Sequence, residues 1–116
     1  MVAEPNVPQR GDVYLIALDP TLGREIKKTR PCVVVSPDEL NGHLSTFIVA
    51  PLTTGSFDYP FRTPCRFQKR DGHIVLDQIR TIDRRRLVRR LGKISAPTLE
   101  KALSILREMF ASGGPV

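Results

Sequence analysis

Residues 28–37 read Lys-Thr-Arg-Pro-Cys-Val-Val-Val-Ser-Pro, and this stretch determines the expected fold. Its unbroken apolar run, from Cys32 to Val35, is typical of a strand that is covered on both faces. Pro31 disfavours helical geometry at Arg30, because the proline ring clashes with the preceding residue in the α region. The sequence therefore predicts a buried strand with an arginine held at its entrance.

Further short β-rich runs lie on both sides of this strand. Three of them are residues 13–18, 46–50 and 87–94. Residues 61–67 are predicted to form an edge strand, because Pro64 cannot donate a ladder hydrogen bond. Residues 73–82 alternate well enough to predict one continuous strand. The preceding Lys69-Arg70-Asp71-Gly72, which contains the favoured Asp-Gly pair, predicts a tight hairpin turn.

Apolar residues recur at helical spacing near the end of the chain. Ser95 is a suitable N-cap and Pro97 fits the first helical turn, so residues 96–111 are predicted to form an amphipathic helix. Gly113 follows it as a stop signal. Several short strands and one terminal helix predict a mainly β fold, in which a compact barrel-like sheet packs against the helix.

Length and charge limit the class of protein. The 116 residues predict one domain over residues 10–112, with short tails at residues 1–9 and 113–116. The 18 Lys and Arg against 12 Asp and Glu give a net charge of +6, which makes nucleic acid the first partner to consider. No stretch is long and apolar enough to cross a bilayer and no secretory signal is recognisable, so the cytoplasm is the expected location.

The cysteines and histidines give no metal signature. Cys32 and Cys65 lie in apolar runs and are predicted to be buried reduced thiols. No spacing of His, Cys, Asp or Glu resembles a ligand set, so neither a metal nor another cofactor is expected. His43 and His73 are acid–base candidates by residue type, and the alternative is that both are ordinary surface residues.

A dense basic cluster follows in the last third of the chain. Its members are Arg80, Arg84, Arg85, Arg86, Arg89, Arg90 and Lys93, opposed only by Asp83. These cations could follow the phosphates of a nucleic acid, which gives affinity without sequence reading. Alternatively, they form a solvated edge that discourages pairing between sheets.

Arg30 and Thr53 suggest chemistry on a phosphodiester. An arginine forks two hydrogen bonds onto a phosphate, and a threonine hydroxyl can add a third. RNA can be cut without metal, because its own 2′-hydroxyl attacks the neighbouring phosphate. The alternative is an ordinary surface ion pair for Arg30 and a simple strand end at Thr53.

Three side chains could read single-stranded bases. Phe57 and Tyr59 could stack on a splayed base, or they could anchor their loop by apolar contact. Gln78 could pair with a base edge through its amide, or it could be an ordinary hydrogen-bonding residue of a strand.

Five short motifs follow one another along the chain, and the resemblance that they carry covers about residues 9–111. They are Arg10-Gly-Asp-Val-Tyr14, Asp19-Pro-Thr-x-Gly-x-Glu25, Thr29-Arg-Pro-x-Val-Val34, Pro51-x-Thr-Thr54 and Leu76-Asp-Gln-Ile-Arg-Thr-Ile-Asp83. Together they resemble the MazF/PemK family of toxin endoribonucleases. The resemblance implies a small SH3-like barrel with a C-terminal helix, a fold also seen in the CcdB gyrase poisons, and a homodimer.

The same resemblance implies a function. It is that of a toxin of a type II toxin–antitoxin system that cuts single-stranded RNA at short motifs without metal, leaving 2′,3′-cyclic phosphate and 5′-hydroxyl ends. The implied catalytic residues are Arg30, Thr53 and Glu25. The loops after the first strand and after Thr54 are implied to form the RNA groove at the dimer interface.

These loops, the aromatics and the basic cluster together give the predicted RNA-binding residues. They are Lys27, Lys28, Thr54, Phe57, Tyr59, Gln78, Arg80, Arg84, Arg85 and Arg86. The resemblance also implies a cognate antitoxin whose acidic, disordered tail occupies the RNA channel, which suits a protein of charge +6. Two alternatives stay open: a non-catalytic toxin of the gyrase-poison kind, and an RNA-binding module without turnover.

Overall fold

The computed structural model of the protein describes residues 7–55 and 59–113, so the predicted stacking residue Phe57 lies outside the described residues. Within this part of the chain the strands are β1 (Asp12–Ala17), β2 (Thr29–Val34), β3 (Thr46–Thr54), β4 (Arg62–Phe67), β5 (Arg70–Val75), β6 (Arg80–Asp83) and β7 (Leu87–Lys93). The helices are α1 (Asp38–His43) and α2 (Ala96–Met109), and short 3₁₀ turns cover Leu76–Gln78 and Arg84–Arg86.

The strands form one antiparallel sheet in the order β4-β5-β3-β2-β1-β7, and β6 also pairs with β3. The two outer strands approach each other. The Gln68 side chain donates a hydrogen bond to the Leu91 carbonyl at 3.3 Å. A Cβ at Gly92 would lie 3.2 Å from the Phe67 ring, so a glycine lets β7 come close to the end of β4. The sheet is thereby bent into the predicted small barrel.

Both faces of β2 are covered, as its apolar run predicts. Val33 belongs to one hydrophobic cluster, whereas Cys32 and Val34 belong to a second one on the opposite face. Burial raises the pKa of the Cys32 thiol to about 12 and also raises that of Cys65. Both cysteines are free and buried, which confirms that prediction.

The C-terminal helix is also confirmed. The Ser95 hydroxyl accepts a hydrogen bond from the backbone N–H of Thr98 at 3.3 Å, as an N-cap does. Ala102 is fully buried against the cluster that contains Val33. The helix ends at Met109, two residues earlier than predicted.

The predicted hairpin is present as β4 and β5, but its predicted turn over residues 69–72 is in the wrong place. Asp71 and Gly72 lie inside β5, and the turn is at Gln68 and Lys69, whose φ angles are 51° and 65°. The glycine has a different purpose, since a Cβ at Gly72 would lie 1.8 Å from the backbone oxygen of Thr53. Gly72 is therefore required by a close approach between β5 and β3 rather than by a turn.

The predicted continuous strand over residues 73–82 is also wrong, because the turn Leu76–Gln78 interrupts it. Leu52 of β3 pairs with Ile74, and Val49 pairs with Arg80. Between these two pairs β3 spans three residues, whereas the segment opposite spans six. The turn Leu76–Gln78 takes up the additional residues. It also buries Leu76 completely, which alternation alone does not predict.

Candidate active site

A continuous groove crosses the ends of β2, β3 and β5. Its central cavity of 440 Å³ shares Arg30, Thr53 and Thr54 with a cavity of 420 Å³ on one side. On the other side it shares residues 24–26 with a cavity of 560 Å³. We call these parts the central section, the hairpin section next to the β4–β5 turn, and the loop section next to Gln78.

Arg30 and Thr53 come together in this groove. Cys32 of β2 pairs with Pro51 of β3, and continuing this antiparallel register by two residues places Arg30 opposite Thr53. Both residues line the central and hairpin sections. The strand entrance and the strand end that the sequence singled out are therefore neighbours on adjacent strands.

The Arg30 side chain is anchored at one nitrogen. Its Nε donates a hydrogen bond to the Lys27 carbonyl at 3.2 Å, within the exposed loop between β1 and β2. The two terminal nitrogens have no partner among the described residues. This arrangement holds the guanidinium at the groove and leaves its two-pronged end available for an anion.

The Thr53 hydroxyl is unusual for a buried polar group. Its Oγ1 atom is buried and has no hydrogen-bond partner within residues 7–55 and 59–113. Most buried polar side-chain atoms are paired, and an unpaired one costs about 1–3 kcal/mol. Because Thr53 lines the groove, a ligand bound there can supply the missing partner once the hydroxyl turns toward it.

Glu25 lies in the β1–β2 loop and lines the central and loop sections. Its carboxylate accepts a hydrogen bond from the backbone N–H of Leu22, and its own N–H donates to the Leu22 carbonyl at 3.1 Å. Gln78 secures the same loop, because its Oε1 accepts a hydrogen bond from the Ile26 N–H at 2.8 Å. The loop that carries Glu25 is thus fastened to the turn Leu76–Gln78.

The other predicted RNA-binding residues of the loops lie at different distances from the groove. Lys27 lines the central section, and Thr54 lines both the central and hairpin sections. Lys28 is exposed and lines none of the three sections. Tyr59 does not line them either; its ring packs edge-on against Phe61, with a centroid distance of 6.1 Å.

Most arginines of the basic cluster are hydrogen-bonded within the protein. Arg80 donates to the Leu18 carbonyl at 3.1 Å, and Arg84 donates to the Asn41 carbonyl at 3.3 Å. Arg86 donates to the carbonyls of Ala17, at 3.1 Å, and Asp19. These side chains tie the β6–β7 region to the end of β1 and to α1, and of the three only Arg80 lines the groove, in its loop section.

Two more members of the cluster form ion pairs. Arg85 binds Asp83 at 2.9 Å, and this hydrogen bond lowers the pKa of the Asp83 carboxyl. Arg90 binds Asp12 at 3.0 Å, which raises the pKa of the guanidinium. Arg85 is almost fully exposed, so its pair is a surface feature, whereas Asp12 is buried.

The two histidines have different surroundings. His73 is buried and lies opposite Thr53 in the β3–β5 register. It lines a further cavity of 460 Å³, which shares Cys65 and Gly72 with the hairpin section. His43 ends α1, and its Nδ1 lies 2.7 Å from the Glu39 carbonyl oxygen. Directly paired residues of antiparallel strands share a face, so His73 is the histidine that the fold brings next to Thr53.

Comparison with known proteins decides the family. The family model described as "PemK-like, MazF-like toxin of type II toxin-antitoxin system" matches residues 9–110. The chain belongs to this family. The resemblance inferred from the five sequence motifs is thereby confirmed.

Individual relatives agree. The endoribonuclease toxin MazF of Escherichia coli (strain K12) is 40% identical over 76 residues, covering 66% of this chain and 68% of that protein. The crystal structure of MazF from Deinococcus radiodurans superposes with a TM-score of 0.79 at 27% identity, covering 89% of this chain and 96% of that one. A MazE–MazF structure from the same organism gives 0.75 at 25% identity, covering 92% and 98%. The predicted mainly β barrel with a C-terminal helix is confirmed.

Three residues of this toxin's groove were missed by sequence reasoning. Gln68 and Arg70 line the hairpin section, and Gly72 approaches the backbone of Thr53. A hairpin turn over residues 69–72, as the sequence predicts, gives these residues no relation to β3. Gln68 and Arg70 flank Lys69, and nothing in the local sequence indicates that they lie beside Arg30.

Among the described residues no three His, Cys, Asp or Glu side chains converge as they would around a metal ion. No described helix has the length and apolar character needed to cross a membrane.

Proposed function

We propose that this toxin is an endoribonuclease that cleaves single-stranded RNA at short sequence motifs without a metal ion. The observation that carries the proposal is the pairing of Arg30 with Thr53 at one groove, where the Thr53 hydroxyl has no partner among the described residues. The family assignment supports the toxin role, and the name of the E. coli relative supports the class of reaction.

Arg30 neutralises the charge that builds on the phosphorane. In metal-independent RNA cleavage the 2′-hydroxyl oxygen attacks phosphorus, and the bond to the 5′-oxygen breaks. The products are a 2′,3′-cyclic phosphate and a 5′-hydroxyl, and the proton that the 2′-hydroxyl loses is balanced by the one that the departing 5′-oxygen takes up. Arginine remains protonated throughout the pH range of the reaction, so it stabilises charge rather than transferring protons. Its anchored Nε and open terminal nitrogens suit that task.

Thr53 adds a hydrogen bond to a non-bridging oxygen. The residue lines the groove although its Oγ1 atom is covered. A rotation about the Cα–Cβ bond moves the hydroxyl from one staggered position to another and presents it to the bound phosphate. This rotation breaks no hydrogen bond to residues 7–55 or 59–113, because Oγ1 has no partner there.

Glu25 acts as the general base that removes the proton of the attacking 2′-hydroxyl. It is the one carboxylate among the described residues that line the central section. A general base has to lie within hydrogen-bond reach of the proton it removes, and the loop fastened by Gln78 holds Glu25 at the groove. Lys27 and Arg80 extend the positive lining on the same side for the flanking phosphates.

The partners follow from the family and the charge. We propose that the toxin acts as a homodimer in the cytoplasm and is neutralised by an antitoxin whose acidic, disordered tail enters the groove. A protein of net charge +6 attracts such a tail, and the tail would order on binding. The MazE–MazF complex of the D. radiodurans relative supports a protein partner of this kind.

The test is incubation of the purified protein with a long RNA in EDTA, followed by sequencing of the ends. We expect cuts at a short recurring motif, with 2′,3′-cyclic phosphate and 5′-hydroxyl termini. Tight RNA binding without cleavage would favour a binding module. Intact RNA together with capture of DNA gyrase would favour the non-catalytic gyrase-poison alternative.

A further inference from the structure

We propose that the β4–β5 turn forms a nucleobase subsite beside the scissile phosphate, in which Gln68 reads the base edge and Arg70 holds the adjoining phosphate. The inference rests on the proposed RNA cleavage and adds a specificity-determining element to it. It concerns the hairpin section of the groove, on the side of Arg30 and Thr53 opposite to the loop that carries Glu25.

The shape and lining of the hairpin section suit a base. The cavity measures 420 Å³, and Leu52 and Phe67 give it partly buried apolar walls. Arg30 and Thr53 line the same cavity, so a phosphate bound there places a neighbouring nucleotide inside it. Single-stranded bases bind where an apolar or aromatic surface adjoins a few polar groups, because the base stacks and its edge forms hydrogen bonds.

The Gln68 side chain is held in a position from which it can recognise a base edge. Its Nε2 donates to the Leu91 carbonyl at 3.3 Å, while its Oε1 accepts no hydrogen bond from the described part of the chain. A fixed amide with an open carbonyl oxygen can accept an N–H from a base edge. The position is costly for glutamine: its φ is 51°, in the left-handed region where a tight hairpin turn favours Asn or Gly. Strained residues of this kind cluster at functional sites.

Arg70 supplies a positive charge next to the Gln68 amide. It is exposed, lines the hairpin section and has no hydrogen bond or ion pair with residues 7–55 or 59–113. Its neighbour Arg66 behaves differently, since it is paired with Asp71 at 3.1 Å. The guanidinium of Arg70 is therefore free to bind a phosphate one step along the backbone from the one at Arg30.

The experiment compares Gln68→Gly with Lys69→Gly. Both residues have positive φ, at 51° and 65°, so both changes relieve left-handed strain and should raise the melting temperature. Only Gln68 lines the cavity. On a pool of random RNA, Gln68→Gly should lose discrimination at one position flanking the cut by about tenfold, while Lys69→Gly keeps the wild-type motif.

An abasic nucleotide at that position completes the test. It removes the stacking as well as the edge contact, so it should slow the wild-type enzyme and Gln68→Gly to the same rate, because the amide then has no base to read. Arg70→Ala should weaken cleavage equally for all sequences. A wild-type motif retained in Gln68→Gly would overturn the subsite even though RNA is cut. Failure of the unmodified protein to cut any RNA would instead overturn the proposed function, and the subsite with it.

Discussion

The groove and the basic cluster of β6 and β7 use arginine in opposite ways. At the groove, Arg30 is bound at one nitrogen and Arg70 has no partner among the described residues. In the basic cluster, by contrast, Arg80, Arg84 and Arg86 donate to backbone carbonyls of distant segments. The density of positive charge along the chain therefore does not identify the binding surface. What matters is where the acceptor of each guanidinium lies: Arg30 binds a carbonyl of its own loop, whereas the cluster arginines bind carbonyls of distant segments.

Arginine therefore has two roles in this protein, one in stability and one in RNA cleavage. Arginines bound to carbonyls of distant segments act as ties, and their removal should affect stability. Arg80 is such a tie and also lines the groove, so its removal should affect both stability and cleavage. Arginines that remain open at the groove should affect RNA cleavage and leave stability almost unchanged. The alternatives that the sequence left open for the basic cluster, phosphate contact or a solvated edge, both omit this structural use.

The largest effects are expected at the groove. Arg30→Ala and Thr53→Ala should each lower the cleavage rate by about 10²–10³-fold, the typical cost of removing one donor that stabilises transition-state charge. Their melting temperatures should stay close to that of the wild type, because neither side chain closes an internal network. Single-turnover cleavage of a short RNA measures the rate, and thermal unfolding gives the control. Full activity of either variant would remove that residue from the proposed mechanism.

The next effect concerns the strand pairing that positions Thr53. Gly72→Ala places a Cβ 1.8 Å from the Thr53 backbone oxygen, so β5 has to move away from β3. We expect a stability loss of about 1–3 kcal/mol and a fall in cleavage rate of about 10²-fold, as for a misplaced catalytic group. Urea unfolding and the cleavage assay measure both.

Gly42→Ala is the matched control for this change. Gly42 lies in α1 and a Cβ there would meet nothing within 4 Å, so the change should leave cleavage intact and slightly raise stability. Equal behaviour of the two alanine variants would show that the close approach at Gly72 has no influence on Thr53.

A moderate effect is expected from the arginine ties. Arg86→Ala removes the donor to the carbonyls of Ala17 and Asp19 and should cost about 1–3 kcal/mol of stability. Cleavage measured well below the melting temperature should change little. A variant of full stability that fails to bind RNA would reverse the assignment and make Arg86 a phosphate contact.

The smallest effect belongs to the exposed pair of Arg85 and Asp83. The Arg85 hydrogen bond holds the pKa of the Asp83 carboxyl below its ordinary 3.8. A lowered pKa in the folded state contributes stability above the unfolded pKa, and this contribution is lost as pH falls through the folded value. Arg85→Ala should move the pKa of Asp83 up toward 3.8, as an NMR titration would show. An unchanged pKa would mean that Arg85 does not bind Asp83 in solution.

Sequence reasoning was strongest where one residue dictates local geometry. Pro31 and the apolar run after it identify β2, and Ser95 identifies the start of α2. It was weakest at Asp71-Gly72 and over residues 73–82, where the same local pattern is compatible with two different structures. Glycine serves a turn and a close strand approach equally well, and alternation cannot reveal a turn that absorbs excess residues against β3.

By itself the sequence determined the strand that carries Arg30, the strand that ends in Thr53, the terminal helix and the family to which the chain belongs. Those properties depend on local sterics, apolar periodicity and ordered motifs, all of which can be read along the chain. Only the tertiary structure decided that Gln68 and Arg70 adjoin Arg30, and that the arginines of the basic cluster differ in their partners. A hydrogen-bond acceptor 40 to 70 residues away is contributed by folding, so the role of each arginine depends on the fold.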